Sequence, residues 1–277
     1  MEILPNIYQI KIGGQDIPGL YAPNVFFVVG NDSAVFIDTA YGKKNEINSY
    51  LRLWEEKLRP KLSAIILTHR HNDHIGGAIQ LNKATDGTLI CGDKEVSHIT
   101  KSFNNIIKPI GTKNGDKFNL GGITLEIIET PGHTSGSICI FLHEQKVLFA
   151  GDTVLGGTTT AISPEQGNMS HYIDSLNKLI NYKAKYICPG HGELINNPQE
   201  KLENIINQRE KRENQILNIL KDGDFSPEEM FSKLYKRLNK KLHREAIGQI
   251  KSHLIKLKNE SKIKVNNKGY YSIERKL

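Results

Sequence analysis

Short apolar runs separated by turns dominate the first 190 residues and predict a domain rich in β-strands. Val25–Val29 and Ala34–Asp38 flank a polar turn, which is the pattern of a β-hairpin. Ser63–Thr68 (SAIILT) is a short apolar run of the kind that forms a strand buried on both faces. Further strands are predicted at Ile123–Thr130, Ser137–Leu142, Val147–Ala150 and Tyr186–Cys188.

Helical spacing of apolar residues appears between these strands. Asn45 to Leu58 carries Leu51, Trp54 and Leu58 on one stripe, and Tyr172–Leu179 has a similar pattern. Strands on both sides of helical segments indicate a layered sheet structure with helices on its outer faces. The predicted fold class is therefore α+β.

The pattern changes after residue 197. A long helix is predicted from Pro198 to Lys221, and the segment Ser226-Pro227-Glu228-Glu229 has the residues of a helix start with a capping box. A third helix follows at Leu242–Lys258, and then two short strands at Lys262–Val265 and Tyr270–Ile273. Three helices and a hairpin in this order are typical of a winged helix. We predict one domain at residues 1–197 and a second at residues 198–277.

The composition is that of a soluble globular protein. The chain has 277 residues, of which 38 % are hydrophobic and 24 % charged. Neither a signal peptide nor an apolar run of roughly 18 residues is visible, so no membrane association is expected. The three cysteines Cys91, Cys139 and Cys188 are scattered, which argues against a disulfide framework. The sequence predicts a cytoplasmic protein.

The net charge of +7 is concentrated near the C-terminus. Residues 201–277 carry 19 Lys and Arg against 10 Asp and Glu, and residues 231–277 alone carry 14 against 3. Solvated helix faces would account for this excess, and so would a docking surface for a polyanion.

A dense group of metal-ligand residues follows the SAIILT strand. Residues 69–74 read HRHNDH, and they place His69, His71, Asp73 and His74 within six positions. Imidazole and carboxylate together suit borderline cations such as zinc. Because the cluster contains no cysteine, a closed structural zinc site is disfavoured.

Three more ligand-type residues lie just past predicted strands. His133 is in PGHTSG, Asp152 is in GDT and His191 is in PGHG, and each is preceded by a glycine. A glycine there lets the backbone approach a crowded site without a side-chain clash. Four strand ends that deliver seven such groups predict a single metal centre.

These motifs, HxHxDH, PGHTxGS, GDT and PGHG in that order, resemble those of the metallo-β-lactamase superfamily. The resemblance implies an αββα sandwich and a two-zinc hydrolase. It implies that Asp152 bridges the two ions and that Asp38 orients the ligand loop from outside. The first zinc would be held by His69, His71 and His133, and the second by Asp73, His74 and His191.

The chemistry implied is hydrolysis by a hydroxide generated at the metal pair, with Asp73 and Asp152 as the predicted catalytic residues. Histidine and carboxylate ligands also accept Mn²⁺ or Fe²⁺. The oxygen-reducing di-iron relatives carry glutamate where this chain has His71, so redox chemistry is disfavoured.

A narrower resemblance extends over most of the chain. The segments GDTVLGGTTTAI, PGHGELINNPQEKLENII, QREKRENQIL and HLIKLKNESKI are similar to the beta-lactamase-like protein 2 family. That family pairs the hydrolase core with a C-terminal winged helix, and its vertebrate mitochondrial member cleaves single-stranded RNA. The resemblance therefore implies an endoribonuclease with single-stranded RNA as partner.

Two other functions stay open on the sequence. One is a small-molecule hydrolase for a thioester or lactone, as in glyoxalase II, although the C-terminal helices of that enzyme are not recognisable here. The other is a nucleic-acid-binding protein with a vestigial core, which seven intact ligand positions argue against. A homodimer is compatible with the sequence.

Several other residues receive weaker assignments. Tyr270 and Tyr271 would stack bases or fill the small domain's core. The loop at residues 156–167 would border the site, and His171 just after it is a weaker candidate for substrate contact. Thr158, Thr159 and Thr160 are interpreted as loop hydroxyls rather than ligands. The remaining histidines are interpreted as structural or solvated: His98, His143, His243 and His253.

Overall fold

Two β-sheets pack face to face in the computed structural model, which describes residues 1–12 and 22–274. Within these residues the first sheet has seven strands in sequence order. They are β1 (Glu2–Leu4), β2 (Ile7–Lys11), β3 (Asn24–Val29), β4 (Ala34–Ile37), β5 (Leu62–Leu67), β6 (Thr88–Gly92) and β7 (Ile110–Thr112). Strands β1 to β4 pair antiparallel, and β4 to β7 pair parallel.

The second sheet has five strands in the order β12, β11, β10, β9, β8 over the same described residues. They are β8 (Lys117–Asn119), β9 (Thr124–Glu129), β10 (Ile138–Leu142), β11 (Val147–Gly151) and β12 (Tyr186–Pro189). All neighbours pair antiparallel except β11 and β12, which run parallel because helical chain connects them.

Helices cover the outer face of each sheet. On the first sheet they are α1 (Lys44–Glu56), α2 (Asn72–Ile75), α3 (Ala78–Thr85) and α4 (Val96–Ser102). On the second they are α5 (Met169–Ile180) and the first half of α6 (Pro198–Leu220). Val35, Ile66 and Phe149 fill the space between the sheets, so the layers are helix, sheet, sheet, helix. The mixed α+β architecture expected from the sequence is confirmed.

The last part of the chain builds a further small core. It comprises α7 (Pro227–Leu234), α8 (His243–Asn259), β13 (Ile263–Val265) and β14 (Tyr271–Ile273), together with the second half of α6. Ile216 and Leu220 of α6 are buried in this core, whereas Leu202 and Ile205 are buried against the second sheet. A single helix is thus shared by the two cores, and the division at residues 197 and 198 stays a prediction.

The local signals in the sequence correspond to real elements. The capping box at α7 is present: the Ser226 hydroxyl accepts from the Glu229 amide, and the Glu229 carboxylate accepts from the Ser226 amide at 2.8 Å. The hairpin of β3 and β4 and the strands β5, β9, β10, β11 and β12 lie close to their predicted bounds. None of the described helices is long and apolar enough to cross a membrane.

Candidate metal centre

The candidate metal centre lies at one edge of the sandwich, where strands of both sheets end. His69 and His71 follow β5, and Asp73 and His74 lie in the short helix α2 after them. Asp152 follows β11 directly, His191 follows β12, and His133 stands a few residues past β9. All seven side chains predicted from the sequence meet here, because carboxyl ends of strands in two packed sheets converge on one edge.

The first group consists of His69, His71, His133 and Asp152, whose ligand-type atoms lie within 4.8 Å of one another. His71 Nδ1 is 2.9 Å from His69 Nε2 and 3.0 Å from His133 Nε2. Asp152 Oδ2 lies 3.7 Å from His133 Nε2 and 4.0 Å from His69 Nε2. The three imidazoles therefore point at one common position.

The second group consists of Asp73, His74 and His191. His191 Nε2 is 3.2 Å from His74 Nε2 and 3.3 Å from Asp73 Oδ2. The other oxygen of Asp152, Oδ1, lies 3.3 Å from His74 Nε2 and 3.4 Å from His191 Nε2. The carboxylate of Asp152 thus gives one oxygen to each group.

These separations fit metal ions. Metal–nitrogen bonds of about 2.0–2.1 Å in a tetrahedral site put ligand atoms about 3.3 Å apart. Asp152 Oδ1 is buried and accepts no hydrogen bond among the described residues, although two ring nitrogens are close to it. A buried carboxylate oxygen that no protein donor satisfies is suited to a bound cation. The donor set therefore suits a divalent cation.

Hydrogen bonds from outside the two groups fix the orientation of the imidazoles. Asp38, at the end of β4, accepts from His74 Nδ1 at 2.7 Å and from the backbone amide and hydroxyl of Thr68, each at 2.8 Å. His133 Nδ1 lies 3.0 Å from the Ala161 carbonyl oxygen, and His71 Nε2 lies 2.6 Å from Gln166 Oε1. Such partners hold the other ring nitrogen deprotonated and aimed at a metal.

Burial and charge shift the protonation of the ligand groups. Burial holds the pKa of His69 well below its usual range and lowers the pKa of His133 to about 4. Burial opposes protonation of His74 as well, but the carboxylates of Asp152 and Asp38 outweigh it and raise that pKa well above its usual range. Burial would raise the pKa of Asp152, yet the neighbouring His74 lowers it strongly.

Glycines beside the ligands make room for this crowding, as the sequence predicts. A Cβ on Gly190 would lie 2.4 Å from Asp152 Oδ1. Gly132 has a φ of +152°, and a Cβ there would lie 2.4 Å from Tyr172 Cα. A side chain at Gly190 would displace the ligand residue Asp152, and a side chain at Gly132 would displace the backbone of Tyr172.

A cavity of about 950 Å³ opens from the two groups. Asp73, His133, Asp152 and His191 line it. Further lining residues come from α6 and the C-terminal core, and they include Lys211, Arg212, Tyr235, Leu238, Lys241 and Leu242. A groove of similar volume near Pro198, about 980 Å³, is lined by none of the seven ligand-type residues.

The weaker assignments have mixed outcomes. Thr158, Thr159 and Thr160 line the cavity, whereas His171 is exposed on α5 and does not line it. The other histidines lie elsewhere: His98 is exposed, and His143, His243 and His253 bond to Glu126, to the Leu238 carbonyl and to Glu213. Tyr271 packs against the small core, as expected for one tyrosine of the pair.

Two hydrogen-bond partners of the ligand histidines, Ala161 and Gln166, could not be recognised from the sequence. The Ala161 carbonyl is a backbone group, which no residue type reveals. Gln166 lies far along the chain from His71 and belongs to no ligand motif. Both residues lie in the loop after Asp152, which the sequence analysis expects to border the site. That position is the one signal that could have identified them.

Residues 18–191 match the family profile of the metallo-beta-lactamase superfamily. The chain belongs to that superfamily. A protein named "Beta-lactamase-like protein 2 homolog" from Drosophila melanogaster is 27 % identical, over 89 % of this chain and 86 % of its own length. A protein of the same name from Caenorhabditis elegans is 31 % identical, over 74 % of this chain and 68 % of its own length. An "Atrochrysone carboxyl ACP thioesterase" from Aspergillus fumigatus is 27 % identical, over 79 % of this chain and 66 % of its own length.

Solved structures resemble the fold over nearly the full length. A beta-lactamase domain protein from Burkholderia ambifaria superposes with a TM-score of 0.85 at 16 % identity, over 99 % of this chain and 93 % of its own. A metallo-beta-lactamase family protein from Thermus thermophilus has a TM-score of 0.76 at 20 % identity, over 99 % and 100 %. The superfamily and the metal-ligand groups make a metal-dependent hydrolase the supported class of function.

Proposed function

We propose that this protein is a binuclear zinc endoribonuclease that cleaves phosphodiester bonds of single-stranded RNA. The observation that carries the proposal is a cavity that is lined both by residues of the ligand groups and by basic residues. Lys211, Arg212 and Lys241 line it together with Asp73 and Asp152. Cations at that position would attract the phosphates on either side of a scissile bond.

The ligand residues would hold two ions, with Asp152 shared between them. A pair of divalent cations supplies a nucleophilic hydroxide at neutral pH and polarises the phosphoryl oxygen. Asp73 lines the cavity, and its carboxylate would accept a proton from the attacking water and pass it to the leaving oxygen. Burial would raise its pKa, but the hydrogen bond with His191 outweighs burial and lowers it.

The C-terminal elements would form a winged-helix domain over residues 198–277. In support, Phe225 pairs with Tyr271, which adds a third strand segment to the hairpin of β13 and β14. Arg212 lies 4.5 Å over the ring of Tyr235, so a guanidinium and an aromatic face stand together at the cavity. Bases and phosphates of a single strand are bound by such pairs.

The test compares the chain with Asp73→Asn on labelled single-stranded RNA and on a panel of acyl thioesters. Asp222→Asn is the matched control, because Asp222 is exposed and does not line the cavity. We expect RNA cleavage that leaves a 5′-phosphate in the unchanged chain and in the control, and its loss in Asp73→Asn. Cyclic phosphate products, or thioester hydrolysis much faster than RNA cleavage, would contradict the proposal.

The basic residues of the cavity are tested separately through salt. Each phosphate contact to a single strand contributes about −0.7 to the slope of log affinity against log salt. Replacing Lys211, Arg212 and Lys241 together with glutamine should therefore reduce the magnitude of the slope by about 2. The control replaces three exposed lysines outside the cavity, Lys94, Lys113 and Lys183, and should leave the slope unchanged.

A thioester hydrolase is the second candidate. Two observations favour it: the relative named as an acyl carrier protein thioesterase, and the apolar residues Leu155, Leu238 and Leu242 in the same cavity. An acyl chain would bury against these leucines, and the basic residues would bind an acidic carrier. Leu238→Asn would then raise the KM for long acyl thioesters much more than the KM for acetyl thioester.

A further inference from the structure

The loop between β11 and α5 supplies hydrogen-bond acceptors to two imidazoles of the first group. A carbonyl oxygen only accepts, so His133 Nδ1 must carry the proton that faces Ala161 O at 3.0 Å. His71 Nε2 donates in the same way to Gln166 Oε1 at 2.6 Å. Each contact leaves the opposite nitrogen free to face the cluster. The loop therefore selects the tautomer in which these two histidines bind a metal.

The loop is in turn held by the C-terminal helices. Arg209 of α6 donates to the Thr160 carbonyl at 2.6 Å. Ser252 of α8 donates to the Ile162 carbonyl at 2.7 Å, and the side-chain oxygen of Gln249, also on α8, accepts from the Ile162 amide at 3.1 Å. These hydrogen bonds hold the backbone of Thr160 and Ile162, the two neighbours of Ala161, in place.

The arrangement is built into the interior of the molecule. Arg209 is 4 % exposed and Ser252 is 3 % exposed. The guanidinium of Arg209 lies 5.4 Å over the ring of Tyr172, which packs against the second sheet. Thr160 also donates its hydroxyl to the backbone carbonyl of Asp152 at 2.7 Å. The contacts thus run without a gap from the C-terminal helices to ligands of the first group.

We propose that Arg209, Gln249 and Ser252 are positioning residues that set the metal affinity of the group formed by His69, His71 and His133. The inference rests on the proposed metal binding and extends it, because it gives the C-terminal helices a role besides substrate contact. The second group does not depend on this loop in the same way: its His74 is oriented by Asp38 of the first sheet. Loss of the contacts from Arg209, Gln249 and Ser252 should therefore weaken metal binding at the first group and leave metal binding at the second group unchanged.

The experiment measures Zn²⁺ dissociation constants of the full chain by competition with a chelator, one group at a time. An Asp73→Asn background leaves the first group intact, and a His71→Ala background leaves the second. In each background we compare Arg209→Met and Ser252→Ala with matched controls on exposed helix or loop positions, Arg237→Met and Ser232→Ala. Thermal unfolding of the metal-free proteins reports on the fold independently.

We expect Arg209→Met and Ser252→Ala to weaken Zn²⁺ binding about tenfold at the first group, because partners that orient ligand histidines typically contribute 10–100-fold. Binding at the second group and in both controls should not change. Arg209→Lys, which keeps a donor, should recover part of the loss. The inference is overturned if folded variants bind Zn²⁺ at the first group as tightly as the unchanged chain, or if both groups weaken alike. If the unchanged chain binds no Zn²⁺ pair, the proposed function itself fails.

Discussion

Asp38 allows the contribution of a single carboxylate outside the ligand groups to be measured. The substitution Asp38→Asn keeps the side-chain shape, and asparagine tolerates the left-handed backbone found there, with a φ of 61°. The new carbonyl still accepts from the Thr68 amide. The new amide nitrogen, however, faces the Thr68 hydroxyl and His74 Nδ1 where an oxygen stood before.

The consequence for His74 follows from its two ring nitrogens. A donor opposite Nδ1 favours the tautomer protonated on Nε2, and that nitrogen then has no lone pair for a metal. Loss of such a partner reduces metal affinity about 10–100-fold, which corresponds to about 1.4–2.8 kcal/mol. We expect this loss only at the group of Asp73, His74 and His191, because His71 and His133 take their orienting bonds from the loop after Asp152.

The assay is a Zn²⁺ titration against a chromophoric chelator that resolves two dissociation constants. Thermal unfolding of the metal-free protein runs in parallel, and the exposed Asp222→Asn serves as the control. A folded Asp38→Asn that keeps both dissociation constants of the unchanged chain would refute this role of Asp38. The role is also refuted if both constants rise by the same factor, because Asp38 would then act through the fold as a whole.

Three further predictions address the core, the crowded ligands and pH. Phe149→Ala, buried between the sheets, should lower the free energy of unfolding in urea by about 3–5 kcal/mol. Gly190→Ala should weaken Zn²⁺ binding at both groups, because its Cβ would strike the shared Asp152; unchanged binding would count against that geometry. Burial lowers the pKa of His253, so the unfolded chain binds more protons below about pH 6.5. Stability should therefore fall as the pH drops below that value, and the melting temperature of His253→Asn should fall less.

The residues of the metal centre were predictable because their signal is local and dense. Three histidines and an aspartate within residues 69–74 do not depend on the rest of the fold. A single glycine-flanked ligand after a strand is weak evidence, but the same pattern recurs at His133, Asp152 and His191. The same holds for the capping box at Ser226, which needs only four residues. The sequence was sufficient to predict features that depend only on residue type and on short spacing along the chain.

The region between α2 and β9 was not predicted, and its elements are short. Strands β7 and β8 have three residues each, and α4 has seven, which is too few for a periodicity to emerge. Ile106 and Ile110 are exposed, so apolar residues there do not mark a buried face. The hydrogen bonds that hold the loop around Ala161 could not be predicted for a different reason. Arg209 and Ser252 bond to backbone carbonyls that are 49 and 90 residues away along the chain.

The proposed function assigns substrate choice to residues away from the metal ligands. The two ligand groups come from strand ends of the sandwich, and the chemistry they support, activation of water beside a polarised oxygen, is the same for a phosphodiester and a thioester. The residues that differ in what they would bind, Lys211, Lys241 and Leu238, come from α6 and from the stretch before α8. Because the same C-terminal helices also hold the Ala161 loop, we expect a change in them to alter metal affinity together with substrate preference. Activity lost in a C-terminal variant is therefore evidence about substrate binding only when its Zn²⁺ content equals that of the unchanged chain.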